Sequence, residues 1–367
     1  MTHTFELGPI RPPNEANSLL VRVTRNCPWN KCTFCPVYKG AKFSLREVDD
    51  IIGDIESMAA LADDIEEQVQ RVDWPEVRIS PEGSQVAQFL FSGGKTAFLQ
   101  DANSLILPVE QLVRVLRALR LSFPTLTRVT TYARAHTVLK RSPDDLLKLR
   151  QAGLDRIHIG LESGSDKVLT LVKKGITAAK HIEAGQRVKN AGIELSEYVM
   201  PGLGGRALSA EHASETARVL RAIDPHAIRF RTLAARGGPL AEQVQSGEFE
   251  PLGDVEVAAE LSTLIAGLTD MTSAVYSDHI LNLFEEVQGQ LPQDQPAMVR
   301  VIDRFLSFEP QEQELYIVGR RLGLMRKLDD LSNPTSRVRA QQALEKIRRQ
   351  FRGRRATEAD SKHRFPV

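Results

Sequence analysis

Cys27, Cys32 and Cys35 are the only cysteines in this 367-residue chain. They fall within the stretch Asn26-Cys27-Pro28-Trp29-Asn30-Lys31-Cys32-Thr33-Phe34-Cys35, a C-x4-C-x2-C spacing. An odd number packed this closely is no disulfide framework. Thiolates are soft ligands, and clustered thiolates favour zinc or an iron–sulfur centre. Structural zinc wants four tetrahedral ligands, and the next histidine is the distant His136. Plant-type ferredoxins share the start of the spacing but need a fourth cysteine, which this chain lacks. The Pro, Trp, Asn and Lys between the thiols make a loop and not a core element. Three thiols without a fourth point to a metal centre with one position left open.

The elements that must position this loop alternate between strand and helix up to about residue 235. Strands are expected at 19–24, within 86–99, and at 128–132, 156–161, 194–200 and 227–233. Helices are expected from a capping signature at Ser44-Leu45-Arg46-Glu47, over 109–119, after Ser142-Pro143, and at 167–172, 178–190 and 209–223. Residues 63–85 read as a polar insertion. Strand then helix, six times, is the pattern of a parallel sheet with right-handed crossovers. An open doubly wound sheet and a barrel both fit, and both put ligands at the carboxyl ends of the strands. Polar or glycine-bearing groups gather at the expected ends: Cys27, Gly93-Gly94, Asp101, Arg134, Glu162-Ser163-Gly164-Ser165 and Pro201-Gly202. Glycines and acids end strands in any fold, but recurrence at five ends favours one shared pocket.

Three parts are expected: a barrel or sheet domain over 17–235, a mainly helical C-terminal extension over 236–336, and a basic helical tail over 337–367. The composition, 42% hydrophobic and 26% charged, is that of a globular chain able to bury a core and excludes wholesale disorder. No apolar run approaches the roughly 20 residues of a membrane span. The N-terminus lacks the pattern of a secretory signal, so a cytoplasmic address and no membrane partner are expected. Net charge is +1, yet the segment from Arg337 to Arg355 holds eight Lys/Arg and one Glu. Such a block attracts phosphate, but no RNA-binding signature accompanies it, so RNA is a secondary expectation.

The cysteine motif resembles that of the radical S-adenosylmethionine (SAM) superfamily, with Phe34 in the place of the aromatic before the last cysteine. The usual spacing there is C-x3-C-x2-C, and this chain has one residue more in the first gap. The stretches Phe98–Ser104, Tyr132–Ala135, Gly160–Asp166 and Tyr198–Leu203 are similar to strand ends of such enzymes. They are most similar to the branch with elongator-type, methylthiotransferase and coproporphyrinogen oxidase-like proteins, and the resemblance covers roughly residues 17–240. It implies a partial (βα)6 TIM-type barrel, one [4Fe-4S] cluster on Cys27, Cys32 and Cys35, and SAM on the open iron. It further implies reductive cleavage of SAM to a 5′-deoxyadenosyl radical that abstracts hydrogen from a substrate. A low-potential electron donor of flavodoxin or ferredoxin type is the implied partner. By position, Phe34 is expected against adenine. Gly93-Gly94 is expected at the SAM amino group, although Lys95 follows where the family has an acid, which leaves Asp101 or backbone carbonyls to accept. Arg134 is expected at the carboxylate, Glu162 and Ser163 at ribose or amino group, and Met200 facing adenine. Arg229 and Arg231 alternate on the sixth strand and share one face; if that face is interior, they suit an anionic substrate or the SAM carboxylate. For Arg134 and Glu162 the plainer alternative is an exposed mutual ion pair. Asp278, His279 or Asn282 could reach the barrel mouth to hold substrate, the plainer alternative being a helix cap at Asp278 beside a surface His279.

Gly94-Lys95-Thr96 ends like a phosphate-binding loop, but Phe89 stands where its first glycine would be. Asp224-Pro225-His226 begins like a cobalamin motif, but Arg229 replaces its glycine. With no further cysteine, auxiliary clusters, a cysteine thiyl radical and methylthiotransferase-type chemistry are not expected. Beside the radical enzyme stand two alternatives: an RNA-modifying enzyme using the basic tail, and a non-catalytic iron–sulfur or heme-trafficking protein.

Overall fold

Period-two alternation decides which way each strand faces. In the strand Arg156–Glu162, Ile157, Ile159 and Leu161 join the main hydrophobic core. His158 turns to the other face, where its ring meets Phe98, Tyr132 and Tyr198 from neighbouring strands. The computed structural model describes residues 3–71, 83–235 and 237–355. Its strands are β1 (Leu19–Arg22), β2 (Thr24–Arg25), β3 (Ser44–Leu45), β4 (Thr96–Gln100) and β5 (Arg128–Ala133). They continue with β6 (Arg156–Glu162), β7 (Glu194–Val199), β8 (Ala227–Phe230), β9 (Ala274–Tyr276) and β10 (Gly289–Gln290). Strands β1, β4, β5, β6, β7, β8 and β9 lie side by side in parallel, with β10 antiparallel at the edge. The expected partial barrel of parallel strands is what the chain forms, and β2 pairs with β3 apart from it.

Helices α1 (Val48–Arg71), α2 (Ser84–Phe91), α3 (Val109–Ser122), α4 (Ala135–Leu139), α5 (Pro143–Gln151), α6 (Asp166–Leu171), α7 (Ala178–Asn190) and α8 (Gly205–Ile223) alternate with the strands. In α3, Leu112, Val115, Leu116 and Leu119 recur at helical spacing and are fully buried. Each such leucine contributes about 1.5–3 kcal/mol by leaving water. A capping box closes the start of α5, where Ser142 and Asp145 satisfy each other's backbone N–H with Pro143 at the first position.

Two expectations about elements are corrected. Ser44 and Leu45 do not begin a helix; pairing with β2 holds them extended, and α1 starts at Val48. The apolar residues from Val86 onward form α2, so the second barrel strand begins only at Thr96. Gly93 and Gly94 therefore form the turn before β4, at its amino end, with Thr125 donating to the Gly94 carbonyl. The cysteine loop follows β1 and lies at the carboxyl end. Of the expected insertion 63–85, α1 extends through Arg71 and residues 72–82 lie outside the described residues.

Glu15 closes the amino end of the barrel. It is fully buried, accepts from Ser18, and lies 3.5 Å from Arg128 and 3.7 Å from His158. Residues 237–355 add α9 (Gly238–Ser246), α10 (Asp254–Ala266), α11 (Gln295–Leu306), α12 (Pro310–Arg321) and α13 (Pro334–Arg355). They also contribute β9 and β10 to the sheet. The basic segment is helical to Arg355; Ala340 and Leu344 are buried, and Arg337 and Arg348 pair with Glu312 and Glu314. Residues 356–367 and the Phe351 side chain lie outside the described residues. Among the described residues no helix is long and apolar enough to cross a membrane.

Candidate active site

The cysteine loop leaves β1 and β2 through two asparagines in the left-handed region, Asn26 (φ 66°) and Asn30 (φ 48°). Asparagine tolerates that conformation better than most residues because its short polar side chain bonds locally. Asn26 donates to the Lys42 carbonyl at 2.7 Å, and the Asn30 backbone N–H points at the Cys27 Sγ at 3.5 Å. The loop is then fastened from three sides. Thr33 N donates to the Val172 carbonyl at 3.0 Å, Leu240 N to the Thr33 carbonyl at 3.1 Å, and Trp29 Nε1 to the Lys173 carbonyl at 2.8 Å.

Asp101, one residue beyond β4, is the loop's main anchor. It is fully buried and accepts from Tyr38 OH at 2.6 Å, Arg22 Nη2 at 2.8 Å and Asn26 N at 3.2 Å. Those contacts bracket the cysteines on both sides. Expected at a SAM amino group, Asp101 is wholly enclosed in the structure and serves the loop instead. Burial and the carboxylate beside it push the Tyr38 hydroxyl's pKa well up, so it stays a neutral donor.

Arg134, Lys174 and Glu162 stand beside the thiols. Arg134 follows β5, donates to the Lys174 carbonyl at 3.0 Å, and stacks its guanidinium 4.8 Å from the Trp29 ring centre. Lys174 Nζ donates to Glu162 Oε1 at 2.9 Å, with both side chains mostly buried. The acid's partner is thus Lys174 and not Arg134, which sets aside the alternative of an exposed Arg134–Glu162 pair. Burial pushes the Cys32 thiol up, and the Lys174 and Arg134 charges oppose it. Burial acts to lower Lys174, but Glu162 and Cys32 outweigh it and hold the ammonium charged. Glu162 adopts φ 62° at a register shift in β6. Backbone strain of that kind concentrates at functional sites.

Ser163 is placed otherwise than expected. Ser163 is fully buried, its Oγ lies 2.8 Å from His212 Nδ1, and it accepts from Ser165 N. His212 Nε2 faces the Met200 carbonyl at 3.1 Å, which fixes the tautomer: Nε2 donates and Nδ1 accepts from Ser163. Burial lowers His212 to about 4, so it is neutral. The Ser163 hydroxyl is therefore not free for a ribose. The Met200 side chain packs with Val168, Val172 and Leu203, and Phe34 lies against the same group. Gly93 and Gly94 are at the opposite end of the sheet, too far along β4 to reach the mouth. Arg231, just past β8, is exposed and has no side-chain partner among the described residues. Asp278 caps no helix; it pairs with Arg229 at 2.6 Å.

Sequence reasoning missed Trp29 as a platform, Tyr38 and Arg22 as anchors, and Lys174. The legible signal for Lys174 was the Lys173-Lys174-Gly175 turn after the fourth strand, directly downstream of Glu162. Gly175 has φ 75°, and a side chain there would run into the Trp29 indole.

The donor set suits an iron–sulfur cluster better than a single ion. Among the described residues no three His, Cys, Asp or Glu side chains converge tightly enough to hold one metal ion. A cluster takes each thiolate on a different iron, and here a backbone N–H on one sulfur and two cations beside the loop complement its negative charge.

The sequence matches the Radical SAM superfamily over residues 21–217, and the chain belongs to that superfamily. It is a radical SAM enzyme, and the family implies a [4Fe-4S] cluster and SAM. The tRNA uridine(34) acetyltransferase of Methanocaldococcus infernus is 25% identical over 124 residues. That similarity spans 33% of this chain and 23% of that protein's length. Among solved structures, coproporphyrinogen III oxidase from Escherichia coli aligns with a TM-score of 0.46 at 16% identity, covering 69% of this chain and 52% of that one. The cobalamin-dependent SAM radical enzyme OxsB, with aqua-cobalamin and SAM bound, aligns with a TM-score of 0.47 at 14% identity, covering 95% and 56%.

Proposed function

We propose that Cys27, Cys32 and Cys35 hold one [4Fe-4S] cluster with SAM on the remaining iron, and that the enzyme abstracts hydrogen from a substrate in the barrel mouth. The observation that carries this reading is the loop itself: the chain's whole complement of thiols, anchored by Asp101 beside Lys174 and Arg134. When bound, the reduced cluster supplies the electron that splits SAM into methionine and a 5′-deoxyadenosyl radical. The chain's own residues hold, orient and shield. Arg134, fixed by Trp29 and the Lys174 carbonyl, presents its remaining N–H donors to a carboxylate, the recognition its planar fork favours. Glu162, with one oxygen on Lys174, is the acid left at the mouth to accept from an ammonium. Phe34, Met200 and Leu203 offer an apolar wall for adenine and keep water from a reactive intermediate. A low-potential donor of flavodoxin or ferredoxin type supplies the electron.

The test is anaerobic reconstitution followed by dithionite and SAM. We expect about four irons per chain and formation of 5′-deoxyadenosine, with both lost in Cys32→Ala. A cluster that assembles but shows no spectral response to SAM would favour the non-catalytic iron–sulfur reading instead.

An RNA substrate draws support from the tRNA-modifying relative and from the exposed Arg339 and Lys346 on α13. Because Ala340 and Leu344 are buried, removing the helix would damage the fold. The clean test is the double substitution Arg339→Glu and Lys346→Glu, which should weaken tRNA retention; unchanged retention dismisses this reading.

A further inference from the structure

Two polar groups line the carboxyl end of the barrel, and only one of them adjoins the thiols. The second lies on β7, β8, β9 and the segment after β9. Tyr198, Arg229 and Tyr276 are register neighbours across three strands. Arg229 is 4% exposed, lies 4.3 Å from the Tyr276 ring centre, and pairs with Asp278 at 2.6 Å. Its Nε is shut off from solvent with no hydrogen-bond partner among the described residues, and the Tyr198 hydroxyl, equally enclosed, has only the Tyr132 hydroxyl beside it.

Two residues beyond Arg229, the Arg231 guanidinium is unpaired among the described residues. Its backbone is held firmly: Arg231 N donates to the Val199 carbonyl at 2.9 Å. Asn282 bonds on both sides of it, donating to the Phe230 carbonyl at 2.7 Å and accepting from Thr232 N at 2.9 Å. Arg231 also lies near enough to Tyr132 and His279 for its charge to act on both. Asp278 compensates one arginine, so this rim carries an excess positive charge beside an enclosed guanidinium N–H and hydroxyl that are short of partners. Arg231 itself is exposed and open to a ligand from the mouth, whereas the enclosed polar atoms of Arg229 and Tyr198 behind it are costly to leave short of partners, a cost that a bound anion would offset.

We propose that this rim is the substrate subsite, and that Arg231, with Arg229 and Tyr198 behind it, binds a carboxylate or phosphate group of the substrate. This rests on the radical SAM reading above and assigns Arg231 to substrate in place of cofactor. The shared chemistry is an anion taken by a guanidinium fork.

The test uses the full chain, reconstituted and saturated with SAM, titrated calorimetrically with inorganic pyrophosphate and separately with glutarate. One of them should bind at a single site; pyrophosphate alone identifies a phosphate-bearing substrate and glutarate alone a carboxylate. Arg231→Gln should weaken that binding at least about ten-fold. Arg117→Gln, an exposed control on α3, should not. Asp278→Asn, which frees Arg229, should tighten binding, a gain that damage to the fold does not mimic. No binding of either anion, equal affinity in Arg231→Gln, or an equal loss in the Arg117 control overturns the proposal. Failure of cluster assembly or of the SAM response in the parent protein counts against the preceding reading, and is read separately in the same preparation.

Discussion

At the scale of single residues, Asp101 shows how a buried carboxylate can shape a cysteine loop without being one of its thiol ligands. Its two oxygens tie Arg22 at the end of β1, Asn26 just before the first cysteine and Tyr38 just after the last. Removing this carboxylate leaves the Tyr38 hydroxyl, the Asn26 N–H and one end of Arg22, whose other end still pairs with Glu6, short of an acceptor, at a cost of about 3–5 kcal/mol. Asp101→Ala should lower stability by that amount in a denaturant titration and cut the iron retained after reconstitution. Tyr38→Phe keeps the ion pair and loses one hydrogen bond, so its cost should be only about 1–2 kcal/mol, with most iron retained.

At the scale of elements, α10 carries Glu260 beneath the turn that follows β7. The carboxylate accepts from Gly202 N and from Ser209 Oγ, both at 2.6 Å, and is 4% exposed. Burial raises its pKa from 4.5 to about 7, against the lowering effect of both hydrogen bonds. A raised acid binds its proton more tightly in the folded state, so this group's contribution is complete below pH 4.5. It is lost as pH rises towards 7, because the unfolded chain releases the proton first. The loss amounts to roughly 3 kcal/mol. Glu260→Gln should therefore flatten the fall in melting temperature between pH 5 and pH 8. The same elements show what could be read from sequence. Strands β5, β6 and β7 and helix α7 emerge where alternation and helical spacing put them. The apolar residues 86–91 misled, since a short apolar run fits a helix as well as a strand, and Gly93-Gly94 went with them to the wrong end of β4. The thiols were legible because cysteine chemistry and spacing are local. The engagement of Ser163 by His212 and of Asp101 by Tyr38 was not, because those partners are 49 and 63 residues apart.

At the scale of the whole molecule, the boundary drawn at 235 cuts across a sheet. Strand β9 pairs with β8 from Ala227 to Arg229, and Leu264, Leu268 and Val275 belong to the same hydrophobic core as the strands before them. A chain ended at residue 235 leaves an unpaired apolar edge, the kind of surface that aggregates. It should show no cooperative thermal transition by circular dichroism, whereas the full chain should melt in one step; an independently melting 1–235 fragment would make the barrel a self-sufficient domain. The amide of Asn282 gives this joining a further meaning. It grips the backbone on either side of Arg231 from 50 residues downstream. On the proposed reading, the arginine that would take the substrate's anion is thereby set in place by a later stretch of the same gene. If that assignment holds, revising positions between Tyr276 and Leu283 would retune the rim while leaving the cysteine loop as it was.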